Sequence, residues 1–372
     1  MKILHLAYED HAQPGSGGGS LRTHEINRRL AAKGHDITVV AAGYPGAQDR
    51  TEDGVKYMHV GGGKTRARAF SYFARLPKIV RGSDADLIVE DFGAPISTIG
   101  TPRFTDTPVV AMVQWMFAKE MAAKFRLPFH LVENWGIKAH RRFIAVSADL
   151  ADAIRARRLG AHVDVVGNGV DQAAFAAVGD PGRFSHPGAP LVFLGRLDNE
   201  QKGLDVLIEA LAHIPGRRLL IAGDGPDETR LRRLADTLGV TARISWLGRV
   251  GGDAKYRLLA TAALAVIPSR WETFGIVAIE ALAAGTPVVG SDIDCLRDVI
   301  PDGAGWRVPP SNPTALAAAV NQALDDPARL VRHSAAGRAF ARRFNWDDLA
   351  DQQDAVYEQV TTLAGRRQPV TV

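Results

Sequence analysis

Short apolar runs alternate with helix-length amphipathic segments along nearly the whole chain, and this alternation limits the fold more than any other feature. Strand-length apolar runs followed by helices are typical of βα units, which build a parallel sheet. The alternation occurs twice. The predicted strands are 2–7, 36–41, 87–90, 109–113 and 143–146 in the first half, and 191–194, 219–222, 243–246, 264–267, 288–290 and 306–308 in the second. The sequence therefore predicts two doubly wound α/β domains.

The length also indicates two domains, because 372 residues exceed what one hydrophobic core usually supports. Segment 178–190 is rich in Gly and Pro without an apolar period, so we place the interdomain linker there. The predicted divisions are 1–178, 179–345, and a terminal helix in 346–372 that crosses back to the first domain. Ligands of doubly wound sheets bind beyond the carboxyl ends of the strands, so two facing sheets would share one cleft.

The composition predicts a cytoplasmic protein with no bound metal. Cys295 is the single cysteine, and no CxxC or Cys/His spacing suggests zinc. No run approaches the roughly 18 apolar residues of a membrane span, and Glu9 and Asp10 end the first apolar run too early for a signal peptide. The net charge of +4 favours anionic ligands, without choosing among nucleotide, phospholipid and nucleic acid.

Segment 64–81 combines cations with aromatic and aliphatic residues. They are Lys64, Arg66, Arg68, Arg75, Lys78 and Arg81, with Phe70, Tyr72, Phe73 and Leu76 between them. This pattern is typical of an ordinary solvated helix or of a basic amphipathic helix at a membrane surface. We favour the solvated helix and keep a weak peripheral membrane contact as the alternative.

The first glycine-rich segment, Gly15-Ser-Gly-Gly-Gly-Ser20, joins a predicted strand to a helix that we expect to begin near Leu21. Glycines let backbone N–H groups approach a ligand, and a helix N-terminus suits a phosphate. The segment is not GxGxxG, and no acidic residue is suitably placed after the next strand, so a dinucleotide-binding fingerprint is poorly matched. A flexible loop is an equally good interpretation.

Two cations follow the first strand of the second half. Arg196 stands at the strand end and Lys202 just before the next helix, so both can reach one anionic group. A planar guanidinium fork and a compact ammonium together suit a pyrophosphate, although ordinary surface charges are the alternative. The next strand ends in Gly223-Asp-Gly-Pro226, where a plain turn is favoured over direct ligand contact.

The segment after strand 264–267 is the most informative, because it places two carboxylates around a helix start. It reads Pro268-Ser-Arg-Trp-Glu272, and we predict a helix from about Thr273, whose hydroxyl could cap it. Glu280 follows about two turns into that helix. Both carboxylates can accept hydrogen bonds from sugar hydroxyls, and the helix N–H groups can face an anion. A solvated surface position is the alternative for Glu280.

These segments together resemble the donor-site signature of the family 4 glycosyltransferases, which have the GT-B fold. The seven residues between Glu272 and Glu280 match the E-x7-E element of that family. Further matches, such as Gly285-Thr-Pro-Val-Val289, extend the resemblance over nearly the whole chain. The resemblance implies two Rossmann-like domains that face a central cleft.

The resemblance also implies roles for individual residues. Arg196 and Lys202 would hold the diphosphate, Glu280 the donor ribose and Glu272 the transferred sugar. The remaining implied donor-binding residues are Gly18, Gly19, Gly195, Gly223, Arg249, Val250, Phe274, Gly275, Ile276 and Val277. Family members retain anomeric configuration and need neither metal nor cofactor, with the departing phosphate accepting the proton of the acceptor.

The acceptor candidates lie in the first half. Gln114 stands where many relatives carry His, and since an amide cannot act as a base, we expect it to bind a sugar hydroxyl or an acceptor group. With Arg196, Lys202 and Glu272 it completes the catalytic candidates. The other acceptor candidates are Trp115, Glu90, Asp91 and His24, and for Glu90 and Asp91 a turn with a helix cap is an equal alternative.

The resemblance thus implies a retaining hexosyltransferase, and we expect it to use a UDP-sugar in preference to a GDP-sugar. We expect a small soluble acceptor that is polyhydroxylated, aminocyclitol-like or a natural product, and no nucleic-acid partner. One alternative is a membrane lipid or lipid-linked acceptor. An apolar group beyond strand 109–113 could line an acceptor pocket or contact lipid, although such residues more often form core: Met112, Trp115, Met116, Phe117, Phe125 and Phe129. The second alternative is a non-catalytic nucleotide-sugar-binding protein. An oxidoreductase is disfavoured, because GxGxxG is missing.

Overall fold

The computed structural model describes residues 1–93, 100–116 and 129–365. The chain forms two compact units, Met1–Asn168 with Trp346–Val372, and Gly169–Asn345. The boundary between the two units therefore lies near residue 168, ten residues before the boundary that we predicted. The terminal helix, Trp346–Gly365, belongs to the first unit.

The segment that we predicted as the linker lies inside the second unit. Its central part, Pro181–Ser185, is a 3-10 helix, and Phe184 is buried. A Cβ on Gly179 would lie 1.8 Å from the carbonyl oxygen of Ala260. Glycine is needed there for close backbone packing, so the Gly- and Pro-rich composition reflects tight turns and not a connection between domains.

The first unit contains an eight-stranded sheet of order β3-β4-β2-β1-β5-β6-β7-β8 among the described residues. The strands are β1 (Lys2–Leu6), β2 (Asp36–Ala42), β3 (Arg50–Glu52), β4 (Val55–Val60), β5 (Leu87–Phe92), β6 (Val109–Val113), β7 (Arg142–Ala145) and β8 (His162–Val165). Only β3 is antiparallel to its neighbour. In the described part of this unit, the helices before the terminal one are α1 (Gly18–Ala32), α2 (Thr65–Arg81), α3 (Phe129–Ala139) and α4 (Ala148–Arg157).

Three strands of this sheet escaped prediction, namely β3, β4 and β8. They lie in or near the sheet edges and carry polar residues, so no apolar run marks them. A signal was present for the first two: Asp53-Gly54 joins them with φ values of 47° and 79°, which suit a two-residue hairpin turn.

The second unit contains a six-stranded parallel sheet of order β11-β10-β9-β12-β13-β14 among the described residues. The strands are β9 (Leu191–Leu194), β10 (Leu219–Ala222), β11 (Ile244–Gly248), β12 (Leu264–Ile267), β13 (Val288–Ser291) and β14 (Gly305–Val308). The helices are α5 (Gln172–Ala176), α6 (Asn199–Lys202), α7 (Leu204–Leu211), α8 (Glu228–Thr237), α9 (Gly252–Thr261), α10 (Ile276–Ala283), α11 (Asp294–Val299), α12 (Pro313–Leu324) and α13 (Pro327–Ala341). All six predicted strands are present. Numbered within the unit, the order is 3-2-1-4-5-6, that of a Rossmann fold.

Helix α2 packs its apolar side on the first sheet. Tyr72, Leu76 and Val80 are buried in one cluster with residues of β1, β2 and β5. Arg68 also turns inward and donates a 2.9 Å hydrogen bond to the carbonyl of Ala42. Phe70 is the large apolar side chain left 78% exposed. The apolar face that a membrane helix would insert into lipid is therefore occupied by the protein core.

No described helix combines the length and the apolar character that crossing a membrane requires. Of the apolar group proposed for a lipid or acceptor surface, Met112 and Met116 are buried. Phe117 and Phe125 lie outside the described residues, as does the side chain of Phe129.

Candidate active site

The strand order of the second sheet reverses between β9 and β12, which are parallel neighbours. At such a reversal the loops that follow the two neighbouring strands run in opposite directions and leave a crevice between them. Doubly wound sheets bind their ligands in this crevice, at the carboxyl ends of the strands. The loop after β9 carries Gly195 and Arg196, and the loop after β12 carries Glu272. The strongest sequence motifs therefore lie at the position that the fold favours for a ligand.

Backbone packing holds these two loops together. Gly203 has a φ of 60°, and a Cβ on it would lie 2.2 Å from the carbonyl oxygen of Pro268. Beside this contact, the N–H of Arg270 donates to the carbonyl of Gln201 at 2.8 Å. The chain around Lys202 is thereby fixed against the loop that follows β12.

Lys202 and Glu272 form an ion pair across this junction. The Lys202 ammonium donates to Oε1 of Glu272, and the hydroxyl of Ser269 donates to the same oxygen at 2.9 Å. The side chains of the pair are only 17% and 10% exposed. The cation and the carboxylate predicted for phosphate and sugar are thus in contact, in surroundings where charges interact more strongly than on an open surface.

Arg270 is a residue of this junction that the sequence analysis missed. It donates to Oδ2 of Asp205 at 2.9 Å and to the carbonyl of Asn199 at 2.7 Å. Burial acts to raise the pKa of Asp205, but the hydrogen bonds from Arg270, Asn199 and the Val206 N–H, together with the charge of Arg270, outweigh it and the pKa is lowered. The motif letters alone did not show that this guanidinium turns toward the preceding helices.

The turn after β10 supports the loop that carries Arg196. A Cβ on Gly223, whose φ is 148°, would lie 1.8 Å from the carbonyl oxygen of Gly195. A Cβ on Gly225 would lie 2.6 Å from the backbone of Leu197, whose N–H donates to the carbonyl of Asp224 at 2.8 Å. These glycines bring two backbones into contact, which agrees with the favoured interpretation as a turn.

Arg196 is exposed and pairs with no carboxylate among the described residues. Arg249 and Val250 follow β11, and the N–H of Gly223 donates to the carbonyl of Gly248 at 2.7 Å. The segments after β9, β10, β11 and β12 therefore share one edge of the sheet. The structure brings together there most of the residues that the resemblance assigned to the donor.

Helix α10 begins later than predicted. Its N-cap is Gly275, with a φ of 83°, and no side chain caps it, so the proposed Thr273 cap is wrong. Phe274 is buried, which leaves its backbone as the part that a ligand could contact. Ile276 and Val277 form the first turn, where N–H groups lack partners within the helix.

Glu280 is buried, so the alternative of a solvated position is wrong. Lys255, on α9, donates to its Oε1 at 2.5 Å. Burial raises the pKa of Glu280, Lys255 opposes that rise, and Asp171 adds to it. The sequence analysis did not find Lys255, because only the packing of α9 against α10 makes it a neighbour.

In the first unit the structure joins Gly19 to Gln114. Gly18 and Gly19 lie in the first turn of α1 and not in a loop before Leu21 as expected. The Gln114 amide donates to the carbonyl of Gly19 at 3.1 Å, and a Cβ on Gly19 would lie 2.9 Å from Oε1 of Gln114. Gln114 therefore holds the start of this helix, and Trp115 beside it is half-buried.

Asp91 lies at the carboxyl end of β5, where the order of the first sheet reverses beside β1. Its carboxylate is 3.1 Å from Nε2 of His5 and accepts a 3.3 Å hydrogen bond from Thr23. The Asp91 side chain stays 19% exposed. Glu90, in contrast, is buried, and its carboxylate contacts Nε2 of the buried His140 at 2.8 Å inside the protein.

His24 lies in a separate polar cluster. It is buried, its Nδ1 is 2.7 Å from the hydroxyl of Tyr57, and its ring stacks on His11 at 3.8 Å. Burial lowers its pKa, and repulsion from His11 adds to this.

Comparisons with known proteins identify the family. Residues 184–342 match the model of glycosyl transferases group 1, and residues 16–174 match that of glycosyltransferase family 4. The phosphatidyl-myo-inositol mannosyltransferase of Mycobacterium leprae is 33% identical over 296 residues, covering 78% of this chain and 77% of the relative. This chain belongs to the group 1, family 4 glycosyltransferases. The glycogen synthase of Mycobacterium tuberculosis is 29% identical and covers 99% of this chain and 97% of its own.

Solved structures confirm the predicted GT-B fold class. Sucrose-phosphate synthase from Thermosynechococcus elongatus superposes with a TM-score of 0.81 at 21% identity, over 97% of this chain and 99% of that one. Anabaena HepE in complex with UDP and glucose superposes with a TM-score of 0.76 at 19% identity, over 96% and 100%. At these identities the likeness shows the fold.

Proposed function

We propose that this glycosyltransferase takes a sugar from a nucleoside diphosphate sugar bound at the carboxyl ends of β9 and β12. The sugar goes to a hydroxyl of a small soluble acceptor that is polyhydroxylated, aminocyclitol-like or a natural product. The observation that carries the proposal is the partly shielded contact of Lys202 with Glu272, beside the exposed Arg196. A cation suited to phosphate and a carboxylate suited to sugar hydroxyls lie in contact there, and this supports the proposal.

Donor binding would exchange the partners of this pair. Lys202 would turn from Glu272 to the diphosphate, which carries more negative charge than one carboxylate, and Arg196 would join it. Glu272 would then accept hydrogen bonds from the hydroxyls of the transferred sugar. Glu280, held by Lys255, would accept those of the ribose.

We propose retention of configuration without a metal. The bond between the anomeric carbon and the phosphate oxygen breaks, the acceptor oxygen bonds to that carbon on the same face, and its proton goes to the departing phosphate. Arg196 and Lys202 would neutralise the charge that develops on the leaving group. Proton NMR of a fresh product tests this, since the anomeric coupling constant distinguishes retention from inversion.

A thermal-shift panel tests the donor. UDP, GDP, ADP and TDP, each with its sugars, are compared at the same concentration, because a ligand at 100 times its dissociation constant adds about 2.7 kcal/mol to stability. We favour UDP, the nucleotide bound in the Anabaena HepE complex. A larger shift with GDP would contradict that choice, and no shift with any diphosphate would contradict the donor site.

We propose that the acceptor binds in the first unit at Asp91. A carboxylate that is held by His5 and Thr23 yet partly exposed can orient a hydroxyl or a protonated amine. Mass spectrometry of reactions with the preferred donor and a panel of sugars, cyclitols and aminocyclitols identifies the product. Asp91→Asn should raise the KM for an amine-bearing acceptor more than that for a neutral one.

A lipid acceptor is the second candidate, because the Mycobacterium leprae relative is a phosphatidyl-myo-inositol mannosyltransferase. Exposed cations on α2 and the exposed Phe70 could contact anionic lipid, although the apolar face of that helix is buried. Co-sedimentation with liposomes at low salt, with and without anionic lipid, decides between the candidates. Absence of binding would remove the lipid acceptor.

A further inference from the structure

Two histidines and a carboxylate converge in the first unit, outside the residues assigned to donor and acceptor chemistry apart from His24. His11 lies in the loop after β1, His24 on α1, and Glu52 at the end of β3. Their nitrogen and oxygen atoms all lie within 4.8 Å of one another. No metal-binding motif in the sequence predicts this group, which is why we expected no metal.

The β3–β4 hairpin brings the carboxylates to α1. Its turn residues, Asp53 and Gly54, have the positive φ values that a tight two-residue hairpin needs. Oδ2 of Asp53 lies 3.2 Å from Nε2 of His24. Glu52 and Asp53 therefore each contact one of the two imidazoles.

The imidazoles have nitrogens available to a metal. The Tyr57 hydroxyl contacts Nδ1 of His24 at 2.7 Å, which leaves Nε2 facing the carboxylates. Metal-binding histidines usually engage their second nitrogen in such a hydrogen bond. Nε2 of His11 lies 3.1 Å from Oε2 of Glu52.

The surrounding charges favour a cation despite the presence of Arg50. This residue donates to both oxygens of Asp10, at 2.6 and 2.9 Å, and to Glu52 at 2.8 Å, and its Nη2 lies 3.3 Å from Nε2 of His11. Arg50 can release Glu52 and His11 and keep its two hydrogen bonds to Asp10. Three carboxylates, those of Asp10, Glu52 and Asp53, then oppose one guanidinium.

We propose that His11, His24 and Glu52 bind a divalent transition-metal ion, with Zn²⁺ preferred and Asp53 as the fourth ligand. Mixed imidazole and carboxylate ligands suit zinc, and bond lengths near 2.0–2.2 Å require the ligand atoms to close to about 3.4 Å of one another. Closing from within 4.8 Å to about 3.4 Å is a movement of at most about 1.4 Å, which Glu52 on the hairpin and His11 in its loop can share. The metal would fasten the hairpin to α1, whose first turn holds Gly18 and Gly19, and it takes no part in sugar transfer.

Untagged protein, stripped with a chelator and dialysed, tests the site by titration with ZnCl₂ against a chromogenic chelator. We expect one equivalent bound with a dissociation constant in the micromolar range or below, and a higher Tm with the metal. Co²⁺ should give the visible absorption of a four-coordinate site. Absence of stoichiometric binding would overturn the proposal.

Variants locate the metal. His11→Asn and Glu52→Gln alter partly exposed ligands, so both should fold, and each should weaken Zn²⁺ binding at least tenfold and change the Co²⁺ spectrum. The matched control is His162→Asn, at an exposed histidine of β8, which should bind like wild type. Unchanged binding in both ligand variants, or equal loss in the control, would contradict the assignment.

Discussion

The two sheets reverse their strand order in the same way, yet the edges at the two reversals are built differently. In the second unit, glycines allow close contacts between backbone segments, of Gly203 with Pro268 and of Gly223 with Gly195. In the first unit, side chains make the contacts, as between Asp91 and His5. Close backbone contacts fix the positions of the loops at the sheet edge. In a network of side chains, one residue can be replaced while the backbone and the other contacts stay in place. Substitutions in the second unit should therefore have the larger effects.

Glu272→Gln should have the largest effect on activity. Loss of the sugar contact should lower kcat/KM by about a hundredfold or more, roughly 3 kcal/mol. Affinity for the nucleoside diphosphate should stay the same or rise, because Lys202 loses its competing carboxylate. Turnover and calorimetry measure the two effects. Glu228→Gln, in an exposed helix pair, is the control, and unchanged turnover in Glu272→Gln would refute the sugar contact.

Lys255→Met should destabilise the second unit by about 3 kcal/mol at pH 8, since it leaves the buried Glu280 without its cation. The folded pKa of Glu280 lies above its ordinary value, so this group favours folding at low pH and loses that contribution as pH rises through its folded pKa. The variant should raise that pKa further. Its deficit in urea unfolding should therefore shrink from pH 8 to pH 5, and Lys255→Met with Glu280→Gln should recover stability. A deficit independent of pH would contradict this.

Gly223→Ala tests whether the edge depends on backbone contact. A methyl group 1.8 Å from the Gly195 oxygen must displace the loop of Arg196, so we expect a loss of about 3 kcal/mol and weaker donor binding. Gly216→Ala is matched in requiring a positive φ, 69°, but a Cβ there has open space. It should cost about 1 kcal/mol through backbone strain alone. Equal Tm losses in the two variants would argue against backbone packing.

Gln114→Ala should have the smallest effect, because it removes one side-chain contact to the Gly19 carbonyl. A hydrogen bond of this kind is worth about 1 kcal/mol, so kcat/KM should fall less than tenfold and donor affinity should hardly change. Gln352→Ala, at an exposed position of the terminal helix, is the control. A hundredfold loss of kcat/KM would mean that Gln114 contacts the reacting groups and that substitutions in the first unit reduce activity as much as those in the second.

The fold of the second unit could be predicted better than that of the first, for a physical reason. Buried parallel strands such as Leu264–Ile267 appear as uninterrupted apolar runs. Edge strands such as Arg50–Glu52 have no buried side to fill and leave no such run. The interdomain boundary was misplaced because Gly179 is required by packing against Ala260, which sequence composition cannot distinguish from a flexible linker.

Prediction from the sequence has the same limit at the candidate site. Lys202, Glu272 and Glu280 could be named from short motifs, because each follows a strand at a fixed distance. Lys255 and Asp205 could not, since they become neighbours of motif residues only when helices pack. The metal-binding group is the extreme case, because its ligands come from three segments joined by a hairpin and a loop.

Calorimetry with Lys202→Ala tests the central claim most directly. The nucleoside diphosphate that stabilises the protein most is titrated beside its bare nucleoside, with Lys56→Ala, an exposed lysine of the first unit, as control. A charge-assisted contact is worth about 1.5–3 kcal/mol, so Lys202→Ala should bind the diphosphate about tenfold to a hundredfold more weakly and the nucleoside as wild type does. Diphosphate affinity equal to wild type in Lys202→Ala would contradict a donor site at the ends of β9 and β12.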